Sequence, residues 1–190
     1  MKILLHICCG PCGLYPSRTL RSAGHDVTGF FYNHNIHPYQ EYARRLCTAR
    51  EMAEHEELPL LVQDDYDLEV FLANVAQSPE TRCSYCYASR LRAAAAIAGK
   101  LGFDAFSASL LYSRYQRHEE IRLLGEQISR EYGVPFYYTD FRSGWQEGIR
   151  MSKEMDLYRQ QYCGCIYSEK ERYQPRNNKA ELSCTGQSDD

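Results

Sequence analysis

Residues 2–13, Lys2-Ile3-Leu4-Leu5-His6-Ile7-Cys8-Cys9-Gly10-Pro11-Cys12-Gly13, decide how the rest of the chain is read. Lys2–Ile7 is a nearly unbroken apolar run, the pattern of a strand covered on both faces rather than one half-exposed to water. A Cys/Gly/Pro turn ends it, and a helix is expected from about Pro16 to Ser22. A nucleotide-binding fold would place its Gly-rich phosphate loop at this strand-to-helix turn. No Walker-type Lys and no Ser/Gly-rich stretch stands there; three cysteines do.

The same alternation continues outward. Val27–Tyr32 is expected as a second strand, Tyr39–Glu57 as a helix and Pro59–Gln63 as a third strand. Leu68–Ala76 follows as a short helix and Cys83–Gly99 as a long Ala-rich one. Asp104–Ser107 is then a fourth strand, His118–Tyr132 a helix, Phe136–Thr139 a fifth strand and Gln146–Gln161 a last helix. Strands alternating with helices over this length imply the α/β class, a three-layer parallel sheet with helices on both faces. Ligands in such folds sit beyond the carboxyl ends of the strands. The segments Cys8–Cys12, Asn33–His37, Ser109–Tyr115 and Asp140–Trp145 each follow a strand, so all belong to that one edge. Residues 1–170 read as a single domain, and residues 171–190 as a polar, mobile tail that includes Cys184.

Eight of the nine cysteines fall in four places: Cys8, Cys9 and Cys12; Cys47; Cys83 and Cys86; Cys163 and Cys165. Close pairs from distant segments are what a thiolate metal centre draws on, because each tight turn contributes sulfurs and the fold unites the turns. Cys83 and Cys86 lie three apart at a helix start, so they share a face, and the positive end of a helix dipole favours thiolates there. Cys8 and Cys9 have the same help from the helix that follows them. Spacing leaves zinc and a [4Fe–4S] cluster both open. The pairs stand about 70 residues apart, however, against about 15–20 in a zinc ribbon, which favours iron. Cys163-Gly164-Cys165 is read as a redox dithiol, a source of further ligands or a pair of buried thiols. Cys47, beside Leu46 on the inner face of its helix, is expected in the core.

At 190 residues the chain can bury a core without cross-links. The opening apolar run is too short for a signal peptide, and no apolar stretch approaches a membrane span. A reducing, cytoplasmic setting without a membrane is therefore expected, where clustered Cys point to metal or redox chemistry. The net charge of -3 argues against a generally basic nucleic-acid binder. Of the 22 basic residues, however, 17 are Arg and five Lys, and 16 Tyr accompany them. Arg presents a planar fork to phosphate and stacks on bases, so a local RNA surface stays open. The run Tyr112-Ser113-Arg114-Tyr115-Gln116-Arg117-His118 interleaves cations and aromatics as a reader of unstacked loop bases would. Arg142 and Trp145 stand near enough in the order of elements to extend it.

Five motifs in order resemble one family, the QueH-type epoxyqueuosine reductases. They are Cys8-Cys9-Gly10-Pro11-Cys12; Asn33-x-Asn35-Ile36-His37-Pro38 with Glu41-Tyr42 and Arg45; Arg82-Cys83-x2-Cys86 with Arg90-Leu91; Leu110-Leu111-x-Ser113-x-Tyr115-Gln116; and Tyr158-x-Gln160-x-Tyr162-Cys163-Gly164-Cys165. The similarity spans about residues 3–168. His34 and Arg114 replace prolines usual in the second and fourth motifs, and neither change removes a sulfur. The resemblance implies a fold like that of adenine-nucleotide α-hydrolases (HUP-like), with a [4Fe–4S] cluster where their phosphate loop would be. It also implies reduction of the epoxide of epoxyqueuosine in tRNA to queuosine. Cys8, Cys9, Cys83 and Cys86 are the expected cluster ligands. Cys12 is the expected ligand of a neighbouring mononuclear iron, with Cys163 and Cys165 as companions or as a redox-active disulfide. Asn33, Asn35, His37, Arg114, Tyr115, Arg117 and Arg142 are the expected RNA contacts. The implied partners are tRNA carrying epoxyqueuosine in its anticodon loop and an unidentified electron donor. Three rivals remain: an iron–sulfur tRNA sulfur transferase, which would need ATP, a zinc-stapled RNA-binding module, and a thiol–disulfide oxidoreductase built on Cys163 and Cys165.

Overall fold

The computed structural model describes residues 1–174 of the chain. Its regular elements run β1 (Lys2–His6), α1 (Gly10–Ser22), β2 (Asp26–Phe31), α2 (Tyr39–His55), β3 (Leu60–Val62), α3 (Leu68–Val75), α4 (Arg82–Leu101), β4 (Ala105–Ala108), α5 (His118–Tyr132), α6 (Trp145–Glu154) and α7 (Ile166–Tyr173). The four strands form one sheet in the order β3-β2-β1-β4, every neighbour parallel. Ile3 is paired with Val27 on one side and Ala105 on the other. Ile3, Leu4 and Leu5 are wholly buried, which is why the central strand reads as a continuous apolar run.

Strand order explains both the layers and the site. From β1 to β2 to β3 the chain steps one way across the sheet, and from β3 to β4 it returns past β1. Right-handed crossovers in opposite directions lay their helices on opposite faces. Accordingly α1 packs on α2 and α6, whereas α4 packs on α5, β1 and β4. The reversal falls beside β1, so the crevice between the carboxyl ends of β1 and β4 is the switch point of the sheet. The turn carrying Cys8 and Cys9 enters this crevice. There the Cys8 N–H donates to Ser109 Oγ at 3.2 Å, Ser109 being the residue just after β4.

Several expectations need correction. Helix α1 starts at Gly10, not near Pro16, with Cys9 as its cap residue and Pro11 at its first positions, where a missing N–H is harmless. Cys12 therefore belongs to the first helical turn. The fifth strand is reduced to a single bridge between Phe106 and Phe136. Pro135, at its start, can only accept a bond from the Phe106 N–H, and beyond Tyr137 the chain turns into a 3-10 turn (Phe141–Gly144) capped by Asp140. The last expected helix stops at Glu154, because Asp156 adopts φ 51° and the Leu157 N–H returns to the Ser152 carbonyl. Residues 155–165 are freed to cross the site before α7 begins. Cys47 is exposed, not in the core. The buried face of α2 runs through Tyr42, Leu46, Ala49 and Ala53, and Cys47 lies off it. Of the expected tail, residues 171–173 complete α7, and Cys184 lies outside the described residues.

Candidate metal centre at the sheet edge

The first cysteine turn builds a compact donor set. The sulfurs of Cys8, Cys9 and Cys12 all lie within 4.8 Å of one another, Cys9 and Cys12 buried and Cys8 partly so. Their adjacency follows from the correction to α1: Cys9 caps the helix, and Cys12 comes round one turn later on the same face. Gly10 permits it. A Cβ on Gly10 would stand 2.4 Å from the Thr48 carbonyl oxygen, so α1 approaches α2 closely here. The triad shares charge unevenly. Hydrogen bonds from Cys12 and Cys9 hold the Cys8 thiol well below its ordinary range. Burial raises Cys9, and the bond to Cys8 raises Cys12.

The mid-chain pair comes from the opposite layer. α4 precedes β4 in a parallel sheet, so its N-terminus points to the same carboxyl edge. Cys86 is buried in a small cluster with Phe71, Val75 and Cys165, and Cys83 is partly exposed. Burial pushes the Cys86 thiol up to about 12 despite the opposing Arg90 charge. Arg90, one turn further along α4, is hydrogen-bonded to Cys86 of this pair. Its Nη2 donates to Cys86 Sγ at 2.9 Å and its Nε to the Cys86 carbonyl at 3.0 Å. Burial opposes its charge, but Cys86, Cys8 and Cys163 lie near enough to hold the guanidinium charged.

The third group arrives on the segment freed by the end of α6. Arg45, 1% exposed, spends its fork here: Nε donates to Glu41 Oε1 at 2.7 Å, Nη1 to the Cys163 carbonyl at 2.7 Å and Nη2 to the Tyr162 carbonyl at 2.9 Å. Tyr158 donates to the other Glu41 oxygen at 2.5 Å, and Tyr162 to the His37 carbonyl at 2.6 Å. Gly164 sits at φ 153°, where a side chain is disfavoured, and a Cβ there would stand 3.2 Å from Ile36 Cγ1. The strap thus presents an exposed Cys163 and a buried Cys165, both free thiols. Two amides are aimed at sulfur. Gln160 Nε2 donates to Cys12 Sγ at 3.3 Å and Gln116 Nε2 to Cys163 Sγ at 3.3 Å. Such bonds to ligand sulfurs tune a cluster's potential.

The two amide partners were not legible as such. Gln116 and Gln160 stand inside the motifs, but no local pattern shows a contact between residues 47 or 148 apart. Arg90 is four residues from Cys86 on one helix, a spacing that does signal the pair. Of the residues expected to meet RNA, Asn33, Asn35 and His37 are at most 2% exposed. They hold loops: Asn33 Nδ2 donates to the Ile7 carbonyl, and the His37 N–H to the Gly164 carbonyl. Arg142 is folded onto Asp140, with Nε to Oδ1 at 2.8 Å and Nη2 to Oδ2 at 2.6 Å, which holds that carboxyl near about 2. Arg114 is exposed and makes no ion pair among the described residues. Arg117 is exposed, with a loose contact to Glu120 at 3.5 Å. Tyr115, 86% exposed, meets Trp145 edge-on at 5.8 Å, and Trp145 lies 5.2 Å from Tyr112. Tyr112 is buried in the same core cluster as Cys9 and Cys12. An aromatic row therefore runs from the surface into the core. His34, standing at one of the two departures from the motifs, is 1% exposed among Tyr32, Phe71 and Tyr85, and burial lowers it to about 4.

The donor set fits a soft metal. Buried thiols from separate turns, no disulfide among them and amide or guanidinium N–H groups directed at sulfur are the surroundings that thiolate-bound metals need. No helix among the described residues is long and apolar enough to cross a membrane.

Known proteins resemble the chain over nearly all its described length. The family model described as epoxyqueuosine reductase QueH matches residues 3–171. A protein of Dehalococcoides mccartyi named epoxyqueuosine reductase QueH is 37% identical over 94% of this chain and 98% of its own. One of Thermotoga maritima with the same name is 35% identical over 95% of each. Among solved structures, a predicted subunit of tRNA methyltransferase from Methanocaldococcus jannaschii superposes with a TM-score of 0.55. It covers 81% of this chain and 75% of that one at 13% identity, a likeness of fold alone.

Proposed function

Because the chain belongs to the epoxyqueuosine reductase QueH family, we propose that it reduces the epoxide of epoxyqueuosine in tRNA to the alkene of queuosine. The reaction takes up two electrons and two protons and releases the oxygen as water. The observation that carries the reading is the triad of Cys8, Cys9 and Cys12 at the switch point of the sheet, its sulfurs within 4.8 Å of one another. Cys86 and Cys165 are buried together in a neighbouring cluster. In this reading Cys8, Cys9, Cys83 and Cys86 hold a [4Fe–4S] cluster. Cys12, with Cys163 or Cys165, holds a neighbouring iron, unless those last two act as a redox dithiol. When bound, these groups supply single electrons and Lewis acidity towards the epoxide oxygen.

The chain's own residues do the rest. Gln116 and Gln160 keep amide N–H groups on two of the sulfurs. The Arg45–Glu41–Tyr158 network holds the strap at one distance from the triad, which positions Cys163 at the surface where substrate arrives. Tyr115 and Trp145 offer stacking faces for an unpaired base beside that opening. Arg114 and Arg117 flank it as phosphate contacts. The setting that suits a tRNA substrate and free thiols is the cytoplasm.

The test is anaerobic purification with iron and sulfide counting, then reaction of epoxyqueuosine-containing tRNA with a chemical reductant and no ATP. Brown protein and queuosine formation are expected. Colourless protein holding zinc alone, or product only when ATP is added, would replace this reading with the RNA-binding module or the sulfur transferase. A narrower result is expected for Arg114→Ala and Arg117→Ala. Each weakens tRNA binding and lowers the slope of log affinity against log salt by about one. A slope equal to that of the unaltered protein in both variants moves the RNA contact elsewhere.

A further inference from the structure

Two arginines are almost wholly enclosed, and they differ in one respect. Arg45 is neutralised by Glu41 at 2.7 Å. Arg90, 2% exposed, has no carboxylate partner among the described residues and donates only to the Cys86 carbonyl and sulfur. An unpaired buried guanidinium carries a penalty of several kcal/mol, so a protein retains one where an opposite charge is to stand beside it. The groups around Arg90 that can become negative are sulfurs from all three cysteine groups, Cys86, Cys8 and Cys163, together with Tyr87. Tyr87 is already occupied, donating to Gln116 Oε1 at 2.8 Å. Four thiolates around a doubly charged metal core leave two negative charges, which a dry site must also offset.

We infer that Arg90 is the counter-charge of the metal–thiolate centre, a positioning residue that stabilises the loaded site and burdens the empty one. The inference rests on the reading that these cysteines hold metal, and on nothing about the substrate. Its consequence is opposite in the two states. Without metal, Arg90 is a buried cation with no carboxylate partner among the described residues, facing only sulfurs and a tyrosine. With metal, it is a hydrogen-bonded partner of a ligand sulfur, whose removal weakens metal binding.

The test uses reduced, metal-free full-length protein titrated anaerobically with Co2+, read by sulfur-to-cobalt absorption, together with thermal unfolding with and without Co2+. Arg90→Met is expected to lower Co2+ affinity by about 10–100-fold, the range for lost partners of metal ligands. Its metal-free form should melt at or above the unaltered protein. Arg90→Lys, keeping the charge without the fork, should lose less affinity than Arg90→Met. Co2+ binding by Arg90→Met at the unaltered affinity overturns the inference. So does a metal-free Arg90→Met that unfolds or melts lower, since the arginine would then be structural. Equal losses in the Lys and Met variants would also remove charge as the cause. Failure of the unaltered protein to bind Co2+ through sulfur would sink the metal reading itself, and is told apart by appearing without any substitution.

Discussion

Cys9→Ala is expected to yield a folded protein that loses its metal and its reductase activity together. The side chain is 1% exposed, one of three sulfurs within 4.8 Å, and the cap residue of α1. Alanine removes one sulfur atom from the interior, which the core around Leu5 and Ile7 tolerates at roughly 1–2 kcal/mol. Metal retention has no such tolerance, because a centre short of one thiolate exposes an open position to water and oxidant. Activity should fall by more than about 10³-fold in kcat/KM, some 4 kcal/mol of transition-state stabilisation. Iron and sulfide counts, taken with a thermal melt of the same sample, separate loss of metal from loss of fold. Cys47→Ala is the matched control. Cys47 is exposed, and its only side-chain hydrogen bond among the described residues is to Glu51 at 3.4 Å, so metal content should hold and stability should change by less than about 0.5 kcal/mol.

The second large effect is expected at Gly10, through packing rather than ligation. A methyl group there would stand 2.4 Å from the Thr48 carbonyl oxygen and 2.8 Å from Thr48 Cγ2. The nearer obstacle is backbone of α2, which cannot rotate aside as a side chain could. Gly10→Ala must therefore push α1 away from α2, at about 3 kcal/mol, the upper part of the usual range for overpacking. For a chain of this size that lowers the midpoint of unfolding by roughly 6–12 °C. The displaced turn carries Cys8, Cys9 and Cys12, so metal affinity should fall as well. Gly102→Ala gives the scale. Gly102 sits at φ 71° with open space around it, so alanine there meets only the backbone preference, about 1 kcal/mol. A melt in which the Gly10 variant is no less stable than the Gly102 variant would mean that α1 and α2 have slack between them.

How far the chain could be read in advance differs from element to element. The apolar run of β1, the extent of α5 and the start of α2 were legible, since each rests on a local pattern that no distant contact overrides. Cys47 lies one position off the buried face of α2, a face that the spacing of Tyr42, Leu46, Ala49 and Ala53 already marks. The end of α6 also had a local signal: aspartate is among the residues that adopt a positive φ most readily, and Asp156 does so. The fifth strand was a different kind of miss. Phe136–Thr139 has strand composition, but it meets the sheet at an edge beside Pro135, where one bridge is all the geometry admits.

The order of residues alone established the parallel α/β class, the grouping of the cysteines and the edge on which they gather, because periodicity and turn chemistry act over a few residues. Tertiary structure alone decided that Arg90 stands unpaired against Cys86, that Arg45 and Glu41 strap Cys163 into place, and that Gln160 reaches Cys12. The Arg90–Cys86 contact lies within one helix turn, and the lack of a carboxylate partner for it among the described residues is the tertiary fact; the other two contacts join separate parts of the molecule. Their energy comes from burying charge and hydrogen-bonding groups together, and which groups are buried together depends on how helices from opposite faces meet at one crevice.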